Sequence, residues 1–310
     1  MPSALALSWP HKVTIANYSQ SAYARSTMAN EATDNEQAAQ ESIQDATLAS
    51  LDDTLDKALR GEMAIDEAAA TLTDPSRWSD IPLDDYAYLL FGVCLDKALK
   101  VESQHPNQRR LVTLLDSLQE RPAPAGEQGE YWASLPTIFT QVAELLNTEG
   151  LLESPGDRLP WQRRMTVSEW RNLHGFLATY YTNLPEGEQA SFGYYHQALL
   201  LLRHVLETPR KTQTLNENLP AIAAWISTAG SQLHGLCQRE QALLPRDTTR
   251  LRYVDEQELY AGPDNWNMDR WAFWRGRLED LGRDESLTPE GREAALLALK
   301  EMRQTKQTRA

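Results

Sequence analysis

At 310 residues the chain is long enough to bury a sizeable core in one large or two ordinary domains. Its aliphatic, aromatic and charged residues stand in the proportions of a soluble globular protein, which speaks against wholesale disorder. A formal net charge of −14 speaks against nucleic acid and anionic membrane surfaces as partners, because both select clustered Lys and Arg.

Only Cys94 and Cys237 occur, each in an apolar helical context, so the sequence predicts two buried free thiols in a reducing, cytoplasmic setting rather than a disulfide framework. No stretch reaches the roughly 18 apolar residues needed to span a bilayer. The N-terminus carries the short apolar piece Ala4-Leu5-Ala6-Leu7 ahead of Trp9 and Pro10, without the basic n-region or the apolar length of a signal peptide. Residues 19–40 are rich in Ser, Ala, Asn, Glu and Gln and have little to bury, so 1–40 reads as a disordered leader. Met28 opens an alternative translation start within it.

From there residues 41–310 read as one helical domain with loops near 119–130 and 149–165. Leu48, Leu51, Leu55 and Leu59 recur at three- and four-residue intervals and predict a helix over 38–60, with Gly61 as its C-terminal stop. A short helix over 66–72 ends before Pro75. A third, over 86–100, has Asp84 and Asp85 at its start and Lys97 and Lys100 in its last turn, the charge order that a helix dipole favours. A fourth spans 106–118, and Pro122-Ala123-Pro124-Ala125-Gly126 marks a loop.

Leu135-Pro136 is expected to open a helix running to Asn147, since proline is tolerated in a first turn. Thr166-Val167-Ser168-Glu169 is a capping box, followed by the apolar face Trp170, Leu173, Leu177 and Tyr180. Further helices are expected over 192–206 and 219–239. In the run 269–279, Trp271, Trp274, Leu278 and Leu281 form one helical stripe. Arg270 and Arg277 lie off it, facing water or carboxylates, and Arg275 borders it, where it can lie on an indole face. A last helix spans 289–303, with Thr288 as N-cap and Pro289 at the first helical position. The best strand candidate, 251–254, is too short and isolated to build a sheet. The fold class is therefore all-α, an irregular multi-helix bundle or helical array without substantial sheet.

The blocks Tyr131-Trp132-Ala133-Ser134-Leu135-Pro136-Thr137, Trp170 to Ala178 and Arg270 to Leu278 resemble those of a large fungal family, domain of unknown function 3632. The likeness extends over about 48–302 and leaves the leader outside. It implies a fungal, intracellular helical protein of uncharacterised role, and it carries no catalytic residues onto this chain.

Chemical motifs stand on their own residues. Asp52-Asp53-Thr54-Leu55-Asp56 is a D-D-x-x-D string in which Asp52 and Asp56 lie one helical turn apart, a spacing able to share Mg²⁺ and hold a diphosphate. In this it is similar to the metal motif of all-α terpene cyclases and prenyl synthases. The plainer reading pairs Asp53 with Lys57 and Asp56 with Arg60 on a solvated face, and the companion metal triad of such cyclases is not legible downstream. The histidines form no H-x-x-x-H, H-E-x-x-H or Cys-His pattern, and no G-x-S-x-G, P-loop or Rossmann glycine string is present. Trp132, Trp170, Tyr180, Tyr181, Tyr194, Tyr195, Trp225, Trp271 and Trp274 read as core, with an aromatic ligand pocket between helices as the alternative.

The favoured function is a non-catalytic module that acts through a protein partner on a grooved surface, with no cofactor. The alternatives are a Mg²⁺-dependent terpene cyclase-like enzyme of secondary metabolism, using Asp52, Asp53 and Asp56, and a small-molecule binder with an aromatic pocket. Whether any reaction is catalysed is left open.

Overall fold

The computed structural model of the chain describes residues 34–125, 131–148, 150–151, 164–184, 194–242 and 259–305. Ten α-helices occur among the described residues, joined by turns and two short 3-10 segments, with no strand. They are α1 (Asp34–Arg60), α2 (Ile65–Leu72), α3 (Leu83–Lys100), α4 (Pro106–Gln119), α5 (Ile138–Thr148), α6 (Val167–Asn183), α7 (Tyr194–Leu206), α8 (Thr212–Gln238), α9 (Met268–Arg283) and α10 (Pro289–Gln304). The all-α array read from periodicity is the fold. The strand candidate at 251–254, residues 1–33 of the expected leader and most of the 149–165 loop lie outside the described residues.

Helix α1 begins at Asp34, inside the stretch expected as leader, and residues 39–46 are largely exposed. Its second half docks through Leu51, Leu55, Ala58 and Leu59, all buried. Gly61 ends the helix at φ +77, a left-handed conformation that costs glycine nothing, and Arg110 donates from Nε and Nη2 to the Ala58 carbonyl over that end. Helix α3 is buried around most of its circumference, from Tyr86 to Leu99. It packs against α1, α5 and α6, while α2 packs on α4 and α4 on α6.

Helix α6 therefore joins the two halves of the molecule. One side meets α3 and α4, and the other meets α8, around which α7, α9 and α10 are arranged. The capping box at its start is complete: the Thr166 hydroxyl accepts from Glu169 N–H at 3.2 Å, and the Glu169 carboxylate accepts from Thr166 N–H at 2.8 Å. Asn172 on the same helix donates to the Leu99 carbonyl at 2.8 Å and accepts from Ser103 N–H, and Gln108 donates to the Asn172 carbonyl at 2.8 Å. The bond to Leu99 satisfies one of the carbonyls that the C-terminal end of α3 leaves unpaired.

Two helix starts differ from the sequence expectation. Helix α5 starts at Ile138 and not at Leu135-Pro136. Leu135 is left-handed (φ 44) with its N–H turned back to the Trp132 carbonyl, Thr137 also has positive φ (73), and the first helical bond runs from Gln141 N–H to Thr137 O. A residue before proline avoids the helical region, so Pro136 sits in the turn. Helix α8 starts at Thr212, not at Leu219, and carries Pro220 in its interior. The lost N–H is tolerated because Thr214, Leu215, Asn218 and Leu219 are buried and hold that first stretch in place.

Candidate functional site

The acidic string lies on the docked half of α1, and α3 supplies a partner that local spacing does not show. Lys97 Nζ stands between Asp52 Oδ1 at 2.7 Å and Asp56 Oδ1 at 2.5 Å, with its side chain only 10% exposed. The ammonium thus occupies the point between two carboxylates where a shared cation would sit. Burial works to lower the Lys97 pKa, but the hydrogen bonds that the ammonium donates to Asp52 and Asp56, with their charges, outweigh it and hold the pKa above its ordinary value. Asp53 pairs with Lys57 at 2.7 Å and Asp56 with Arg60 at 3.7 Å, both i, i+4 contacts. Among the described residues no group of three or more His, Cys, Asp or Glu side chains could hold a metal ion.

A second charged centre is far more buried. Glu207, fully buried just beyond α7, receives Arg270 Nε at 3.0 Å, Trp274 Nε1–H at 2.7 Å and Arg203 Nε at 3.5 Å. Asp264, half-exposed, closes the outer side on Arg203 Nη1 at 2.5 Å, and the Arg270 guanidinium lies over the Tyr260 ring at 4.7 Å. Of the two surroundings expected for Arg270, water or carboxylates, it meets the carboxylate, and it does so in the interior. The N-cap Asn267 turns the helix so that Arg270 points inward, donating to the Asn265 carbonyl at 2.6 Å. Arg277, half-buried, reaches the Leu206 carbonyl. These contacts tie α7, α9 and the 259–267 segment together by charge, although Arg203 Nε, Arg270 Nε and Glu207 Oε2 are close ion-pair atoms without a hydrogen bond of good geometry.

The histidines, cysteines and aromatic residues fall to the interior. His174, enclosed between α6 and α8, accepts a 2.8 Å hydrogen bond from Trp225 Nε1 on Nδ1, and burial depresses its pKa to about 3. Cys94 and Cys237 are buried and free, each pushed up to about 12 by desolvation. The indoles do not gather around one space. Trp78 and Trp132 stack with Tyr86 and Tyr131, Trp170 and Trp225 meet at His174, and Trp266, Trp271 and Trp274 form a third group beside His234. The side chains of Tyr194 and Tyr195 lie outside the described residues.

A concave surface lies elsewhere, on the outside of α9 and α10. A shallow open groove of ≈ 440 Å³ is lined by Gly282, Pro289, Arg292, Glu293, Leu296 and Lys300, together with Leu297. Leu296 and Leu297 are 48% and 41% exposed. Leu296 leans over Gly282 so closely that a Cβ there would collide with it. Among the described residues neither Glu293 nor Lys300 has an ion-pair partner, although Arg303 close by pairs with Glu279 at 3.2 Å. Sequence reading missed both this face and the two interhelical charge sites. The i, i+4 spacing of Arg203 and Glu207 was the one visible trace of the second, whereas the contact from Lys97 to Asp52 crosses between helices and leaves no local pattern.

Comparison with known sequences matches residues 91–278 to a family described as Protein of unknown function (DUF3632). The match starts within α3 and ends within α9, narrower at both ends than the expected 48–302, and it contains all three aromatic blocks. No curated protein and no solved structure matches the chain.

Proposed function

Since the chain belongs to this family of unknown function, whose description names no reaction, we propose from its surface chemistry that it is a non-catalytic helical protein that binds a partner protein through the α9/α10 groove. The observation that carries this reading is the pair of exposed leucines, Leu296 and Leu297, side by side in a concave face between Glu293 and Lys300, which have no ion-pair partner among the described residues. Apolar surface rimmed by charge is the composition of a recognition site, with the leucines supplying burial and the charges supplying register. The interior supports the same reading from the other side. His174 is held neutral, both thiols are pushed far above neutral pH, and Lys97 is neutralised by Asp52 and Asp56.

The test is a comparison of the full chain with its Leu297→Asp variant as bait. Proteins retained by the wild type are expected to be lost from the variant while its melting temperature stays within a degree or two, because a surface substitution away from the core shifts stability by only about 0.5 kcal/mol. The same proteins retained by both would overturn the proposal.

A further inference from the structure

The rim of the α9/α10 groove has a charge balance opposite to that of the chain. Over the whole sequence Asp and Glu outnumber Lys and Arg by 44 to 30. Along the groove the order reverses: Arg292, Lys300 and Arg303 line it together with the carboxylate Glu293. On its α9 edge the Glu279 carboxylate is shared between Arg283 and Arg303, so four cations stand against two acids. Among the described residues Arg292 and Lys300 have no ion-pair partner, and Arg292 donates to the Leu287 carbonyl at 3.1 Å.

The helix dipole alone does not place these cations. It draws bases to the end of a helix and acids to its start, which accounts for Lys300 and Arg303 but runs against Arg292, near the start of α10. Arg292, Leu296 and Lys300 are four residues apart and so lie along one side of α10, the side on which Leu296 leans over Gly282. An exposed leucine thus separates two cations without carboxylate partners, over about 12 Å of helix axis at about 1.5 Å per residue. At physiological ionic strength charges are screened beyond about 8 Å, so the local excess, and not the acidic remainder of the surface, decides which ligand charge the groove favours.

We infer that the occupant of the α9/α10 groove is an acidic amphipathic helix of another protein. This rests on the reading of the groove as a protein-binding face and names the chemistry of its partner. A trough between two helices receives a third by its apolar face, with side chains one turn apart reaching along it. Apolar residues of the partner cover Leu296 and Leu297, and carboxylates one turn to either side meet Arg292 and Lys300. In sequence such a segment carries an acid, an apolar residue three or four positions on, and a second acid three or four beyond that.

The experiment is selection from a displayed library of helical peptides of about 18 residues, long enough to hold a helix, with acidic, basic, neutral and apolar residues equally represented on the varied face. The full chain is the bait and its Leu297→Asp variant the counter-bait. Peptides enriched on the wild type are expected to be acidic, with two carboxylates flanking an apolar residue at that spacing. Their affinity, read by fluorescence anisotropy, is expected to fall about tenfold in Lys300→Glu, to fall likewise in Arg292→Glu, to rise in Glu293→Gln and to weaken as salt is added. Lys300 and Glu293 are exposed, so those two variants keep the fold, with circular dichroism and melting temperature as controls. Basic or neutral peptides that are lost from Leu297→Asp, or binding indifferent to both Lys300→Glu and Glu293→Gln, would overturn the inference while leaving the groove as a binding face. A chain that self-associates in sedimentation equilibrium, and ceases to do so as Leu297→Asp, would overturn it in favour of a second copy. No peptide enriched on the wild type over Leu297→Asp would overturn both readings.

Discussion

His174 shows how one enclosed side chain ties stability to pH. Its Nδ1 accepts from Trp225, which requires the neutral ring, and burial keeps the folded pKa near about 3 against an ordinary 6.5. The unfolded chain therefore takes up this proton first, so the contribution of His174 is complete above pH 6.5 and is lost progressively as pH falls towards 3. At about pH 5 the loss amounts to about 2 kcal/mol, at about 1.4 kcal/mol per unit. Urea denaturation at roughly pH 7.5 and pH 5 should show the wild type losing about that much more than His174→Gln, and an equal loss in both would refute the assignment. Glu207 is the second sensitive residue. Glu207→Ala leaves the guanidiniums of Arg203 and Arg270 buried with only the half-exposed Asp264 opposite them, and should cost about 3–5 kcal/mol. Glu207→Gln keeps an oxygen for Trp274 Nε1 and should cost clearly less; equal losses in the two variants would show that the carboxylate's acceptor role is unimportant.

Between elements, the clamp of α1 on α3 is the most direct case. Lys97→Met leaves Asp52 and Asp56 facing each other without their cation and should cost about 1–2 kcal/mol, a modest sum because both carboxylates are partly solvated. Part of that loss should return when Asp52→Asn and Asp56→Asn are added, since like-charge repulsion then disappears. Fully additive losses would show that Lys97 does not depend on the two acids. Millimolar Mg²⁺ should leave the wild-type melting temperature unchanged, and a rise that vanishes in the Asp52→Asn/Asp53→Asn/Asp56→Asn variant would return the string to the metal-binding reading. Elements of this kind were legible wherever their cause was local: the glycine stop at Gly61, the capping box at Thr166, the N-cap at Thr288 and the stripe Trp271, Trp274, Leu278, Leu281 all stand as periodicity and capping chemistry imply. What escaped was set by distant contacts. Pro220 reads as a helix start because its cost is local while the burial that overrides it is tertiary, and the choice between water and a carboxylate for Arg270 stayed open because Glu207 lies far away in sequence. Gly291 is similar, its bare Cα admitting the Asn216 side chain, which accepts from Thr288 N–H at 3.0 Å.

At the scale of the whole molecule, one hydrophobic core runs from Leu51 in α1 to Met302 in α10, passing through α6. Among the described residues no helix is long and apolar enough to cross a membrane. The two cysteines sit on opposite sides of α6, Cys94 within α3 and Cys237 in the last turn of α8. The thiolate is the form that attacks an alkylating reagent, and with both thiols pushed up to about 12 neither reacts near neutral pH while its half of the molecule is closed. Each sulfur is thus a clock that starts only when its own surroundings open, and the chain carries one clock in each half. Intact-mass measurements during labelling in mild denaturant should show unlabelled protein converting directly to doubly labelled protein, because a core shared through α6 has to come apart as one unit. A lasting singly labelled population would instead divide the molecule at α6 into two halves that unfold on separate schedules.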